Sequence, residues 1–296
     1  MSKSDNLQDE LRNLKPVKEF FIGIDSDGCV FDTMEIKHKE CFCPNFIKYF
    51  NLQRISKYAR ETWEFVNLYS KTRGANRFKA LLEAVRLLEE RKEVKGRKAK
   101  LPDMSALEEW VSRETKLGNP ALEKYAARVN DPLIDTVLEW SKKVNKDVEE
   151  MVYGINPFPM VEESLVKLTR KADAIVVSQT PVEALTREWQ ENNLDTYVHM
   201  IAGQEYGTKT EHLALAARGK YPDNKILMIG DAPGDFKAAD SNGILFYPIN
   251  PGHEEESWDR FYNEALDKFF CGTYQDGYEQ ELIEEFNAHL PEKPPW

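Results

Sequence analysis

The chain has 296 residues, 41% of them hydrophobic and 31% charged, which fits one large or two modest folded domains and excludes wholesale disorder. Forty Lys and Arg against 51 Asp and Glu leave a net charge of −11, so the surface repels phosphate backbones and no nucleic-acid partner is expected. No apolar run approaches the roughly 18 residues of a membrane span, and the polar first 16 residues lack the apolar centre of a secretory signal, so a cytoplasmic protein without a membrane partner is the expectation.

Residues 1–19 read as an N-terminal arm. Phe20-Phe21-Ile22-Gly23-Ile24 is then a continuous apolar run that stops at Asp25. Continuous rather than alternating apolarity predicts a strand covered on both faces. From residue 35 to 155 the pattern turns helical and charged, with no strand signal. Phe78, Leu81, Leu82, Val85 and Leu88 make a helix-period stripe over residues 77–91. Residues 89–100 read as a helix end and a solvated loop. Ser105-Ala-Leu-Glu108 has the form of a capping box, and Asp131-Pro132 that of an N-cap followed by Pro at the first helical position. Cys41 and Cys43 lie one residue apart with no further Cys or His cluster nearby, so reduced thiols are expected rather than a zinc site.

Pro157 and Pro159 punctuate the return from this insertion. Helical segments at 161–170, 181–192, 210–218 and 235–241 then alternate with apolar runs. Ala174-Ile175-Val176-Val177 stops at Ser178, and Ile226-Leu227-Met228-Ile229-Gly230 stops at Asp231. Gly243 to Tyr247 is a further run and Val198 to Ile201 a weaker one. This alternation predicts a doubly wound, Rossmann-like α/β core with a parallel sheet, discontinuous over 20–34 and 156–250. An all-helical domain is inserted over 35–155. Residues 251–296 read as a helical extension whose Pro-rich tail, Pro291 to Trp296, is expected to be mobile.

In open α/β sheets, ligands bind beyond the carboxyl ends of the strands. Three runs end there in a polar residue: Asp25, Ser178 and Asp231. Asp25 and Asp27, two apart at a strand end, point to the same side, and Gly28 permits a sharp turn. Two close carboxylates repel unless a cation or a shared proton neutralises them, and oxygen ligands without thiol or imidazole favour Mg²⁺. An Asp-rich turn explains the same four residues. Asp231 places a second acid at the crevice. Asp235, four residues on, either joins it or caps the helix expected to begin there. Lys209 precedes a helix and becomes a candidate through its position between these sites.

Together these residues resemble the haloacid dehalogenase-like hydrolase superfamily. Phe20 to Thr33, with Asp25-Ser26-Asp27-Gly28 and Asp32-Thr33, looks like its first motif. Ser178 after its strand, Lys209, and Gly230-Asp231 through Asp235 look like the second, third and fourth, and all occur in order. Phe158-Pro159 and the following residues resemble the family's re-entry from cap into core. The resemblance covers about 20–33 and 158–247. It implies a Mg²⁺-dependent phosphatase with a helical cap, acting on a small phosphorylated metabolite as a monomer or homodimer. Asp25 would be the nucleophile that forms an aspartyl-phosphate, and Asp27 the general acid and base. Ser178 would donate to a phosphoryl oxygen, and Lys209 would offset negative charge. Asp25, the main-chain carbonyl of Asp27, Asp231 and Asp235 would serve the metal. Dehalogenases of the superfamily lack an acid at the position of Asp27, so its presence favours phosphoryl transfer.

Gln179, beside Ser178, and Lys71, Arg73 and Arg77 in the insertion are the candidate substrate contacts. Gly74-Xaa-Xaa-Arg77 resembles a loop that sugar-phosphate-handling members turn toward the active site. A basic helix start with exposed charges is the plain alternative. His38 is read as a surface side chain. Other readings remain open: a phosphomutase or inorganic pyrophosphatase of the same superfamily, a phospho-acceptor signalling domain, or a glycosyltransferase using Asp-Xaa-Asp.

Overall fold

A computed structural model describes residues 3–275 and 277–296, so the first two residues of the expected arm lie outside the described residues. The chain divides into two compact units, one of residues 1–33 and 154–290, the other of residues 34–153 and 291–296.

In the first unit, strands β1 (Phe20–Ile24), β2 (Ala172–Val177), β3 (Met200–Ala202), β4 (Ile226–Gly230) and β5 (Leu245–Pro248) form one sheet. Their order is β3-β2-β1-β4-β5 and every pairing is parallel. Parallel neighbours need long crossovers, supplied here by helices Val161–Leu168, Val182–Glu191, Lys209–Ala216 and Pro233–Asn242 and, between β1 and β2, by the second unit as well. The continuous apolarity of β1 follows from burial on both faces. Phe20, Ile22 and Ile24 face a core with Trp189 and Trp258, whereas Phe21 shares the opposite core with Ile175, Leu213 and Met228. Gly23 lies on that second face, where a Cβ would come within 2.8 Å of Leu213.

Three local expectations shift. Gly243 is in the left-handed conformation (φ 64°) and ends the preceding helix, so β5 begins at Leu245. The weak run near 198–201 forms a strand only over Met200–Ala202. The N-terminal arm contains a helix, Lys3–Asn13, that buries Leu11 in the second core, and Tyr206 donates to Glu10 at 2.8 Å.

The C-terminal extension completes the sheet. Strand β5 is an edge, and an exposed edge presents unpaired backbone groups. The Phe246 N–H donates to the Glu279 carboxylate at 2.8 Å, and the Tyr274 hydroxyl donates to the Phe246 carbonyl at 2.7 Å. Side chains of the extension thus occupy hydrogen-bonding positions that a sixth strand would otherwise fill.

The second unit is helical, with no strand among its described residues. Its core centres on Phe42, Phe46, Trp63 and Trp140, with Phe46 and Trp63 ring centroids 4.9 Å apart. Asp131 caps helix Pro132–Met151 as expected, accepting from the Leu133 and Ile134 amides at 2.8 and 3.2 Å. The capping box at Ser105 does not form. Ser105 is the first helical residue, and Asp103 accepts from its amide at 3.0 Å, because the carboxylate two positions upstream reaches that donor first. The charged stretch after residue 89 is not simply solvated either. It contains a short helix, Lys92–Gly96, with Val94 buried, and the buried Arg91 pairs with Glu61 at 2.6 Å. The Pro-rich tail lies on this unit. The Lys71 amide donates to the Pro291 carbonyl at 3.4 Å, and the Arg91 guanidinium stacks 4.1 Å from the Trp296 ring. No helix among the described residues is long and apolar enough to cross a membrane.

His212, on helix Lys209–Ala216, is fully buried, against the backbone of Gly203 and Gly207. Burial, helped by the charge of Lys209, pushes its pKa down to about 4 from 6.5. The unfolded chain therefore takes up this proton near pH 6.5 while the folded chain does not, and stability falls as pH drops toward 4. Relative to His212→Phe, the wild type should lose stability between pH 7 and 4.5 with a slope of up to about 1.4 kcal/mol per pH unit. Urea midpoints across that range check this, and a pH-independent difference would contradict it.

Candidate active site

The strand order reverses between β1 and β4. Strands β2 and β3 extend the sheet on one side, β4 and β5 on the other. That switch point leaves a crevice at the carboxyl ends. Asp25 follows β1 and Asp231 follows β4, so the two acids leave adjacent strands at the crevice. The Asp25 amide donates to the Ile229 carbonyl at 2.9 Å, extending the ladder by one residue and fixing where its side chain departs. The chain then folds back on itself. Gly28 has φ 74°, and the Ser26 carbonyl accepts from the amides of Cys29, Val30 and Phe31. Below this turn, Ser26 is anchored by a hydrogen bond from the Trp189 indole at 3.0 Å, and it donates to Glu188 at 3.2 Å.

Asp25, Asp231 and Asp235 are 4%, 1% and 0% exposed, which removes water as their counter-partner. One carboxylate oxygen of each lies within 4.8 Å of the others. Lys209, the first residue of its helix, projects into this cluster. Its Nζ is 2.8 Å from Asp25 Oδ2 and 2.5 Å from Asp235 Oδ1. The helix start is fixed by a capping box, in which Thr208 and Glu211 satisfy each other's backbone donors. Burial pushes Asp25 up to about 6, against the pull of Lys209 and with further help from Asp231. Asp235 is pushed up to about 6 in the same way, by burial against Lys209 and with help from Asp25. Burial works against the charge of Lys209, but Asp235 and Asp25 outweigh it and hold its pKa well above the usual range.

Asp235 is not an N-cap. The helix begins at Pro233, and Asp235 is its third residue, reaching back to accept from the Ala232 amide at 3.1 Å. Its carboxylate lies against the end of β4. A Cβ on Gly230 would meet Asp235 Cβ at 2.3 Å and Cγ at 2.4 Å, so only glycine leaves room there.

Three buried carboxylates against one ammonium leave a surplus of negative charge in low dielectric. That surplus must be met by protons or by a cation. The donors are all oxygen, which suits a hard divalent ion such as Mg²⁺. The residues present therefore fit the metal that the sequence implies.

Asp27 is half-buried. Its Oδ1 accepts from the Thr33 hydroxyl at 2.5 Å and its Oδ2 from the Thr180 hydroxyl at 2.6 Å. Ser178 lies buried one residue beyond β2, with its amide donating to the Ala202 carbonyl at 3.0 Å. Gln179 latches two loops, donating to the carbonyls of Ser178 at 3.2 Å and Gly207 at 2.9 Å. The structure thus gathers Asp25, Lys209, Asp231 and Asp235 into one contact network. It ties Asp27 to the turn that carries Ser178 through Thr180. Sequence reading missed Thr180; its only signal is a hydroxyl two residues after Ser178, just before Pro181.

Lys71, Arg73 and Arg77 belong to the helical unit and have partners there. Lys71 faces Glu292 at 3.4 Å, and the buried Arg73 donates to the Leu68 carbonyl at 2.9 Å. Arg77 donates to Asn145 at 2.6 Å and to the Ser141 hydroxyl at 3.0 Å, and it stacks on Phe42. Burial pulls its pKa down to about 10. His38 is half-buried rather than on the surface, stacked on Phe42 with ring centroids 4.8 Å apart.

No protein-family model and no curated protein matches the sequence. Among solved structures, the chain is similar to haloacid dehalogenase-like hydrolases. One is a hydrolase of that family from Streptococcus pneumoniae, with 14% identity over 82% of this chain and 90% of the other and a TM-score of 0.44. A provisional phosphoglycolate phosphatase from Lactobacillus delbrueckii subsp. bulgaricus has 16% identity over 83% and 92%, with a TM-score of 0.48. A provisional β-phosphoglucomutase from Bacteroides vulgatus has 13% identity over 92% and 98%, with a TM-score of 0.44.

Gly230→Ala should push Asp235 off the end of β4 and loosen its contact with Lys209. The expected cost is about 1–3 kcal/mol of stability, the usual scale for an overpacked site. Equilibrium urea unfolding measures it, and an unchanged midpoint would show that Asp235 does not need this close approach.

Proposed function

We propose that this protein is a Mg²⁺-dependent phosphatase that hydrolyses a small phosphorylated metabolite through an aspartyl-phosphate. The observation that supports this most is the unequal treatment of two acids on one turn. Asp25 is buried beside Lys209 and two further carboxylates, whereas Asp27 is half-exposed and accepts hydrogen bonds from the Thr33 and Thr180 hydroxyls. A nucleophile must stay charged next to an anionic phosphoryl group, and a proton carrier must exchange its proton.

Asp25 attacks phosphorus in line. The Asp25 oxygen–phosphorus bond forms as the bond from phosphorus to the leaving oxygen breaks, and Asp27 gives its proton to that oxygen. In the second half, Asp27 takes a proton from water as the water oxygen bonds phosphorus, and the bond to Asp25 breaks, releasing inorganic phosphate. Lys209 fixes the Asp25 carboxylate and offsets charge on the phosphoryl group. Ser178 lies at the adjacent strand end, where its hydroxyl would donate to a phosphoryl oxygen. Asp25, the main-chain carbonyl of Asp27, and Asp231 would hold Mg²⁺, with Asp235 ligating or orienting. When bound, the ion would neutralise the surplus negative charge of the cluster and lower the electrostatic barrier to phosphate entry.

Two results test this reading. Asp25→Asn should abolish hydrolysis of 4-nitrophenyl phosphate while leaving the circular dichroism spectrum unchanged, and near-normal turnover in that variant would overturn the mechanism. EDTA should remove activity and Mg²⁺ should restore it, whereas full activity in chelator would remove the metal from the scheme.

A further inference from the structure

We propose that Thr180 is a positioning residue that holds the Asp27 carboxylate in line for proton transfer; this rests on the phosphatase reading above. A single hydrogen bond to one carboxylate oxygen leaves the group free to swing about its side-chain torsions. Here the two oxygens are held by different elements: Oδ1 by Thr33, just after the first turn, and Oδ2 by Thr180, just after β2. Both torsions of Asp27 are thereby fixed.

Thr180 is itself fixed by its backbone. Its amide donates to the Ser178 hydroxyl at 3.3 Å and its carbonyl accepts from the Gln204 amide at 3.1 Å. Pro181 restricts the conformation of the residue before it. Gly203 packs so closely that a Cβ there would lie 2.5 Å from the Thr180 carbonyl oxygen, so the loop after β3 clamps this turn from the other side. The hydroxyl therefore has a defined direction, set by the strand end that carries Ser178. As the phosphorus–oxygen bond breaks, the proton passes from Asp27 to the leaving oxygen and Asp27 becomes a carboxylate, the acceptor that two hydroxyl donors suit. Thr180 links the position of that acid to the position of the phosphoryl-binding turn.

The test uses the full-length Mg²⁺-loaded protein and kcat/KM for phenyl, 4-nitrophenyl and 2,4-dinitrophenyl phosphate, in order of improving leaving group. Thr180→Val keeps the shape and removes the hydroxyl, and Thr180→Ser keeps the hydroxyl. Misplacing the acid should matter most where the leaving group needs its proton. Thr180→Val is expected to lose about tenfold or more on phenyl phosphate and less than about threefold on 2,4-dinitrophenyl phosphate, with Thr180→Ser close to wild type on both. An equal loss on all three esters, no loss, or failure of Ser to rescue overturns the positioning role. If the wild type hydrolyses none of the three, the phosphatase reading falls, and this role with it.

Discussion

The site depends on one buried ammonium shared between two carboxylates. Lys209 bridges Asp25 and Asp235, and Asp231 completes a cluster shut off from water. Removing the ammonium from such a set leaves the buried carboxylates uncompensated, typically worth about 3–5 kcal/mol. The surrounding backbone is arranged to keep the three elements in register. The switch in strand order puts β1 and β4 side by side, Gly230 opens room for Asp235, and a capping box fixes where the Lys209 helix begins. The cluster is costly to fold, because its surplus negative charge must be met by protons or by a cation.

Much of this is legible in the sequence, for identifiable reasons. Strands β1 and β4 are central and covered on both faces, so their apolar runs match the observed strands residue for residue. Edge strands have one neighbour and weaker constraints. Accordingly β3 shrinks to three residues, and β5 yields its first two apolar positions to a helix end at Gly243. Asp25, Asp231 and Lys209 can be found because each sits where a strand stops or a helix starts. Thr180 cannot, because its importance comes from a hydrogen bond across 153 positions of chain that no local pattern encodes. Asp235 is visible as an acid, but its role as third helical residue depends on Pro233 starting the helix two residues earlier than the apolar pattern suggests.

The segments outside the motifs also carry structural work. Tyr274 and Glu279 satisfy backbone groups of Phe246 on the edge strand, a device that apolar periodicity does not reveal because the contacts are polar and specific. In the helical unit, Arg77 donates to Ser141 and Asn145, and Arg73 to the Leu68 carbonyl, contacts that no local sequence pattern encodes.

The pairing of β1 has a consequence for biosynthesis. Phe20 pairs with Ala172 and Phe21 with Ile226, so this apolar segment has no sheet partner until more than half the polypeptide has been translated. At about 5–20 residues per second, ribosomes would need roughly 8–30 seconds to reach β2. Throughout that interval the apolar segment Phe20-Phe21-Ile22-Gly23-Ile24 lacks the strands that cover it in the folded sheet. The intervening helices, rich in local contacts, have time to collapse first.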